Sequence, residues 1–442
     1  MAYFSHGNLC RSVTNCFDGR REIAFAISLR LVAAKQSIAT LRNEESAMKK
    51  KFMLIVPMLH QGGFERVCVA TARLLEPYYE VYIVIFSAMD IAYDIRGLHV
   101  IDIHMKSVEG KAGKVLNVFR RAKRVAALKA EYGIDIAYSF GPTANLVNVF
   151  SGMRPFRKGG ADRAKIWCGV RSYMDMGNPR LLRLFCRYSD RVVSCSKLIQ
   201  RELEAHFSCQ KVCTLYNPFE LAGIQAQARE VGEKERLPFA GCSRVIVSMG
   251  RQDDVKGFWH LLKSFSLLHR KYEDARLLIV GEGDFKEYWK LAEDLGIQDA
   301  VSFPGVKKNP FPWLALGRMY VMTSINEGFP NVLVEAMALG IPVISTNCMT
   351  GPAEILAEDF DAVSGRQEYL DADYGILIPV MDAAKDLDAD RITEEERMLA
   401  EQMERLLSDE ALYEKYSQAA VRRAAQFSGE AYVERIRGMA EE

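Results

Sequence analysis

The chain has 442 residues, 49% of them apolar, and a net charge of +1, which is enough material for two domains with separate cores. No apolar run reaches the roughly 18 to 20 residues that a membrane-crossing helix needs. Ten cysteines are scattered; the closest pair, Cys209 and Cys213, lacks histidines at metal spacing, so free thiols in a reducing compartment are favoured over zinc or disulfides.

The near-zero charge conceals a division. Residues 48–234 hold 29 Lys/Arg against 17 Asp/Glu, and residues 235–442 hold 23 against 36, so +12 stands against −13. A basic front half suggests an anionic partner, either a membrane surface or a phosphate-bearing acceptor. Nucleic acid is disfavoured because no nucleic-acid module accompanies the charge.

In chain order, residues 1–47 fit poorly with the remainder of the sequence. Arg20 and Arg21 precede a short apolar piece that Arg30 interrupts, too short for a secretory signal. The segment reads as an extension, disordered or an over-long start, with a membrane-binding helix as the lesser option. Lys49-Lys50-Lys51 then runs into the strand FMLIVP, the start of an alternation of strands and helices that predicts a parallel sheet covered on both faces. VYIVIF, DIAYSF and RVVSCS read as further buried strands. Between the first strand and its helix lies His60-Gln61-Gly62-Gly63-Phe64-Glu65-Arg66, where two glycines let backbone approach a phosphate closely or simply serve loop geometry. Residues 111–130 form a basic amphipathic helix with Val115, Val118, Phe119, Ala122, Val125 and Leu128 near one face. Packing on the sheet and presenting cations to anionic lipid are compatible readings of it. Arg154, Arg157, Lys158, Arg163 and Lys165 add a second basic cluster. Arg171 follows the next short apolar stretch; it can only donate hydrogen bonds or neutralise charge, or it is a plain surface arginine.

After Tyr216-Asn217-Pro218-Phe219 the periodicity is lost through residue 243, a predicted linker. A second alternating unit opens with RVIVSMG and Arg251-Gln252-Asp253-Asp254-Val255-Lys256-Gly257. An arginine fork and a compact lysine charge this close together suit phosphate oxygens. RLLIVG and VSFPG are the next strands. Then TSINEGFPNVLVEAMALGIPVISTN reads as loop, helix and strand. Pro330 suits the first helical position, Gly340 the stop, and Pro342 prevents continuation. The first turn leaves N–H groups that attract an anion. Glu327 precedes that turn, which is also ordinary dipole complementation. Glu335 interrupts an apolar run, and a buried carboxylate requires ligand hydroxyls or a basic partner. Asp371-Ala372-Asp373 and Asp388-Ala389-Asp390 lie in polar connections and are not read as metal sites.

Taken together, GGFER, GR-x4-KG, EGFPNVLVEAMALGIPVIST with its Glu327-x7-Glu335 spacing, and GPAEIL resemble the retaining GT-B glycosyltransferases of family 4 (glycosyl transferases group 1). The resemblance covers most of the chain from Met48 onward. It implies an α/β fold of GT-B type, two Rossmann-like doubly wound domains facing each other across a cleft. The divisions it implies are 48–218 for the acceptor domain, 219–243 for the linker, 244–425 for the donor-nucleotide domain and 426–442 for a helix crossing back. Arg251 and Lys256 would neutralise the leaving diphosphate, with Glu327 on the sugar hydroxyls. Glu335 would bind ribose, N–H groups near Asn331 and Val332 the phosphate, Gly305 and Val306 the base, and Gly62 and Gly63 would face the diphosphate. Arg171 and Asn145 are assigned to the acceptor side. No metal or other cofactor is expected. The implied partners are a nucleoside diphosphate sugar, with uridine as the default base, and a glycan or lipid-linked acceptor, at the cytoplasmic face of a membrane. The implied setting is bacterial surface polysaccharide or lipid-linked glycan synthesis. An epimerase or hydrolase on the same donor, or a silent nucleotide-sugar sensor, are the rivals.

Overall fold

The structure, a computed structural model, describes residues 49–60, 62–106, 110–154, 164–230 and 237–442. The predicted 1–47 extension and the basic residues Arg157, Lys158 and Arg163 lie outside them. Lys51–Pro77 and Val81–Glu442 belong to one compact body, while Tyr78–Glu80 groups with residues 49–50. Both sheets, apart from Glu80, lie within the larger body.

Two seven-stranded sheets form, each with helices on its faces. The first runs β3-β2-β1-β4-β5-β6-β7, all parallel. Its strands are β1 Lys51–Val56, β2 Glu80–Ile85, β3 His99–Asp102, β4 Ile136–Phe140, β5 Lys165–Val170, β6 Arg191–Ser194 and β7 Val212–Thr214. Phe52 through Val56 are all fully buried, as expected of a parallel strand covered on both faces.

The second sheet repeats the winding as β10-β9-β8-β11-β12-β14-β13. It comprises β8 Val245–Met249, β9 Arg276–Val280, β10 Val301–Ser302, β11 Met319–Met322, β12 Val343–Thr346, β13 Leu370–Asp371 and β14 Ile376–Ile378. Only β13 is antiparallel. In each sheet the winding reverses beside the first strand, between β1 and β4 and between β8 and β11. Ligands of such sheets bind outside the carboxyl ends of the strands at that reversal.

The predicted linker contains structure of its own, since Leu221–Gln227 is helical. There Ile224 is buried and Gln225 donates to Ala338 O at 2.9 Å. The chain crosses between the two sheets twice, and the crossings lie side by side. Phe219 N donates to Phe427 O at 3.0 Å and Gly429 N to Phe219 O at 3.1 Å. Tyr216, Phe329 and Phe427 pack their rings 5.2–5.4 Å apart at this junction. The final helix, Gly429–Glu441, rests on the Gly63–Leu75 helix, where Tyr432 and Thr71 hydroxyls bond at 2.7 Å.

Candidate functional site

The loops after β8 and β11 are laced together at the reversal of the second sheet. Ile325 N donates to Val255 O at 2.8 Å and Thr323 Oγ1 to Lys256 O at 3.0 Å. Gly257, at φ +60°, is required here, because a Cβ would sit 2.5 Å from Thr323 O. This lacing sets the Lys256 ammonium 2.6 Å from Glu327 Oε1, which also accepts from Ser324 Oγ at 2.8 Å. The backbone of Glu327 is fixed in turn by Met349 O and Thr350 N, at 2.8 and 2.9 Å. Lys256 and Glu327, to which separate tasks were assigned, are therefore one ion pair at the cleft. Arg251 stands apart, 69% exposed and 4.0 Å from Asp253. Its guanidinium is unconstrained, as suits a group that closes on a ligand.

The helix after β11 spans Asn331–Ala338, with Pro330 as its N-cap rather than its first residue. Gly340 follows in the left-handed region at φ +72° and ends it. Glu335 lies inside this helix with a side chain 0% exposed. Its partner comes from the other domain: Arg66, one turn into the Gly63–Leu75 helix, forms an ion pair with Glu335 Oε1. Glu335 Oε2 has no hydrogen bond among the described residues. Gly305 is tied by its carbonyl to Gly281 N at 3.3 Å, and Val306 is half exposed. Both follow the carboxyl end of β10, two strands from β8.

Three of the predicted residues have partners within the chain. The N–H of Gly62 donates to the Tyr93 hydroxyl at 2.9 Å, which donates back to Gly62 O at 2.7 Å. The Glu65 carboxylate is also folded over Gly62, where a Cβ would collide with it. Gly63, the first residue of that helix, has open space where a side chain would be. Asn145 is buried, and its amide accepts from Ser139 Oγ at 2.7 Å and donates to Gly169 O at 2.8 Å, so it joins β4 to β5; it also lines a hollow with Pro142, Val170 and Asp175. Arg171 is likewise engaged: it donates to Asn217 Oδ1 and, at 3.3 Å, to the Tyr138 hydroxyl. Asn217 Nδ2 donates on to Asn331 Oδ1 at 2.5 Å. The arginine thus wires the end of β5 to the first turn of the Asn331–Ala338 helix. The backbone is equally close, because a Cβ on Gly328 would lie 2.5 Å from Arg171 O.

Sequence reasoning missed Arg66, Asn217, Tyr93 and Glu354. Glu354, in the Gly351–Leu356 helix, is buried. It reaches across the junction to accept from Lys197 N at 2.7 Å, Leu198 N at 2.9 Å and the Tyr216 hydroxyl at 2.9 Å. It therefore caps the Lys197–Phe207 helix of the opposite domain. A carboxylate breaking the apolar run of GPAEIL carried the same signal as Glu335. Asp371 of the first Asp-Ala-Asp forms an ion pair with Arg405 at 2.7 and 2.8 Å.

Residues 232–371 match the family model of Glycosyl transferases group 1. The chain is 34% identical over 242 residues to an uncharacterized glycosyltransferase of Methanocaldococcus jannaschii, a match taking in 53% of this chain and 59% of that protein. It is 26% identical over 391 residues, 86% of the chain and 96% of the relative, to the N-acetylgalactosamine-N,N'-diacetylbacillosaminyl-diphospho-undecaprenol 4-alpha-N-acetylgalactosaminyltransferase of Campylobacter jejuni. Among solved structures, Anabaena HepE in complex with UDP and glucose superposes with a TM-score of 0.67 at 16% identity. That superposition covers 89% of this chain and 100% of HepE. The fold is GT-B, and the family match falls on the part of the chain that holds the second sheet.

Proposed function

We propose that the chain is a retaining glycosyltransferase of family 4. It would move a hexose or N-acetylhexosamine from a nucleoside diphosphate sugar, most simply a UDP-sugar, to an acceptor hydroxyl in surface-polysaccharide or lipid-linked glycan assembly. One observation carries this reading. At the reversal of the second sheet, two cations and two carboxylates gather around the start of one helix, and one oxygen of the buried carboxylate has no hydrogen bond among the described residues.

A vicinal ribose diol matches the two acceptor oxygens of Glu335. The first-turn N–H groups of Asn331 and Val332 suit phosphate oxygens. Lys256 and Arg251 neutralise the diphosphate as the glycosidic bond to it breaks, and Glu327 orients both Lys256 and the sugar hydroxyls. These cations supply the positive charge that a divalent ion would give elsewhere, so the reaction needs no metal. No carboxylate is assigned beneath the anomeric carbon. The acceptor therefore attacks on the face that the diphosphate leaves, and its proton passes to the departing phosphate.

A lipid-linked acceptor agrees with the Campylobacter relative, whose name describes a diphospho-undecaprenol glycan. It also agrees with the basic helix, found at Lys111–Tyr132. Val115, Leu116 and Phe119 are exposed there, and Arg120, Lys123 and Arg124 border a groove of about 680 Å³ with His104 and Lys106. Exposed apolar residues beside cations suit an anionic membrane surface. No helix among the described residues is long and apolar enough to cross a membrane.

The test is thermal shift against a panel of nucleotides and nucleotide sugars, because a ligand at 100 times its Kd adds about 2.7 kcal/mol of stability. The stabilising donor is then incubated with and without acceptor. Slow loss of donor alone and fast loss with acceptor is the expected result. Fast loss of donor alone would make the protein a hydrolase or epimerase, and binding with no turnover would make it a sensor.

A further inference from the structure

The charges that face each other across the cleft are paired crosswise. Glu65 and Arg66 are neighbours on the first turn of the Gly63–Leu75 helix, and their counterparts in the second domain are Arg251 and Glu335. Arg66 forms its ion pair with Glu335 Oε1. Arg251 and His60 are near enough for their charges to act on the Glu65 carboxyl. One Glu65 oxygen is buried with no hydrogen-bond partner among the described residues. Lys256 is neutralised within its own domain by Glu327. Lys256 and Glu335, two of the groups able to hold a donor, thus each face an opposite charge.

The Arg66–Glu335 contact is one-sided. Glu335 is fully buried, and the arginine meets it at Oε1, while Oε2 has no hydrogen-bond partner among the described residues. A guanidinium normally donates two parallel N–H bonds to a carboxylate, and a buried carboxylate oxygen without a hydrogen bond is costly. A diol would supply the missing donor. Arg66 is itself 39% exposed, with its guanidinium carbon 6.0 Å from the centre of the Phe311 ring. It therefore has room to turn and stays in the cleft when it does.

We propose that Arg66 is a donor-site residue supplied by the first domain. It holds Glu335 while the site is empty, yields that carboxylate to the ribose hydroxyls, and turns its guanidinium onto the donor's diphosphate beside Arg251. Binding is then an exchange of partners: the negative charge that leaves Arg66 is replaced by that of the phosphates, and the carboxylate gains two hydroxyl donors. No bond is made or broken in this step. It draws the Gly63–Leu75 helix and the Asn331–Ala338 helix onto one ligand. The inference rests on the reading of Glu335 as the ribose ligand.

The test compares a nucleoside with its diphosphate, using uridine and UDP, with guanosine and GDP in parallel, by calorimetric titration of the full chain. Arg66→Gln should weaken the diphosphate at least tenfold and leave the nucleoside unchanged or tighter, because the competitor for Glu335 has gone. Arg66→Lys, which keeps the charge but loses the fork, should fall between. A general loosening of the cleft would weaken nucleoside and diphosphate alike, so an unchanged ratio between them in Arg66→Gln overturns the proposal. Glu335→Gln separates the two layers, since it should weaken both ligands. Normal binding by Glu335→Gln, or no nucleotide bound by the wild type, would overturn the donor-site reading itself. Normal wild-type binding with a weakened Glu335→Gln and an unaltered Arg66→Gln ratio would remove only the role of Arg66.

Discussion

Replacing Glu354 probes the junction on which the cleft depends. The Glu354→Ala substitution removes a buried carboxylate that accepts from Lys197 N, Leu198 N and the Tyr216 hydroxyl at 2.7, 2.9 and 2.9 Å. Each polar group left without a partner costs about 1–3 kcal/mol. Water entering the vacated space offsets part of that, and the lost charge at a helix N-terminus adds up to about 2 kcal/mol. A total of about 3–4 kcal/mol is expected, within the range for breaking a buried charged contact. For a domain of this size that is a fall in Tm of about 6–16 °C at roughly 2–4 °C per kcal/mol. Glu354→Gln keeps one acceptor oxygen and should lose about half as much.

The pH dependence of the same residue has a definite sign. Burial raises the Glu354 carboxyl above its usual value, against the pull of the Lys197 and Leu198 N–H groups and the Tyr216 hydroxyl. The folded protein then keeps this proton at a pH where the unfolded chain has lost it. The resulting contribution is complete below the unfolded value of about 4.3 and is lost as the pH rises through the raised value. The stability of the wild type relative to Glu354→Gln should therefore be greatest at the acid end and decline upward. Scanning calorimetry and urea unfolding of the three proteins at several pH values measure all of this. A Glu354→Ala variant within about 2 °C of wild type would refute the capping argument.

Arg251→Ala and Lys256→Ala should each lower turnover at least about a hundredfold, the scale for losing one pre-organised electrostatic contact, and folded variants with wild-type rates would end the diphosphate assignment. Glu327→Gln should weaken only sugar-bearing ligands in a titration while Glu335→Gln weakens the bare diphosphate too, and the opposite pattern would exchange their roles. Arg120, Lys123 and Arg124 changed together to Gln should lower sedimentation with anionic vesicles by up to about a hundredfold, at about 1 kcal/mol per cation. Binding that ignores lipid charge, salt and these residues would remove the membrane reading. Arg121, by contrast, is buried, donates to Met105 O at 3.0 Å and stacks 4.4 Å from the Phe86 ring centre. Its replacement should lower Tm and leave vesicle binding intact.

The two sheets and their order of elements were legible in the sequence because each signal there is local. Phe52–Val56 and Val245–Val247 are buried on both faces and so are unbroken apolar runs, and the Pro330, Gly340 and Pro342 punctuation marks one helix by backbone geometry alone. The charged residues of the second-domain site were legible for a related reason, since a carboxylate inside an apolar helix has few structural uses. The partners of those residues were not. Arg66 lies 269 positions before Glu335, and Lys197 lies 157 before Glu354. No periodicity or spacing reports which surfaces two separately folded sheets bring together. The same limit hid the partners of Asn145 and Arg171. Their residue types fit an acceptor site, but the neighbours that consume their hydrogen bonds come from β5 and from the Tyr216-Asn217 crossing. Local chemistry fixes which groups can bind a ligand, and only the packing of the two domains decides which of them are already occupied.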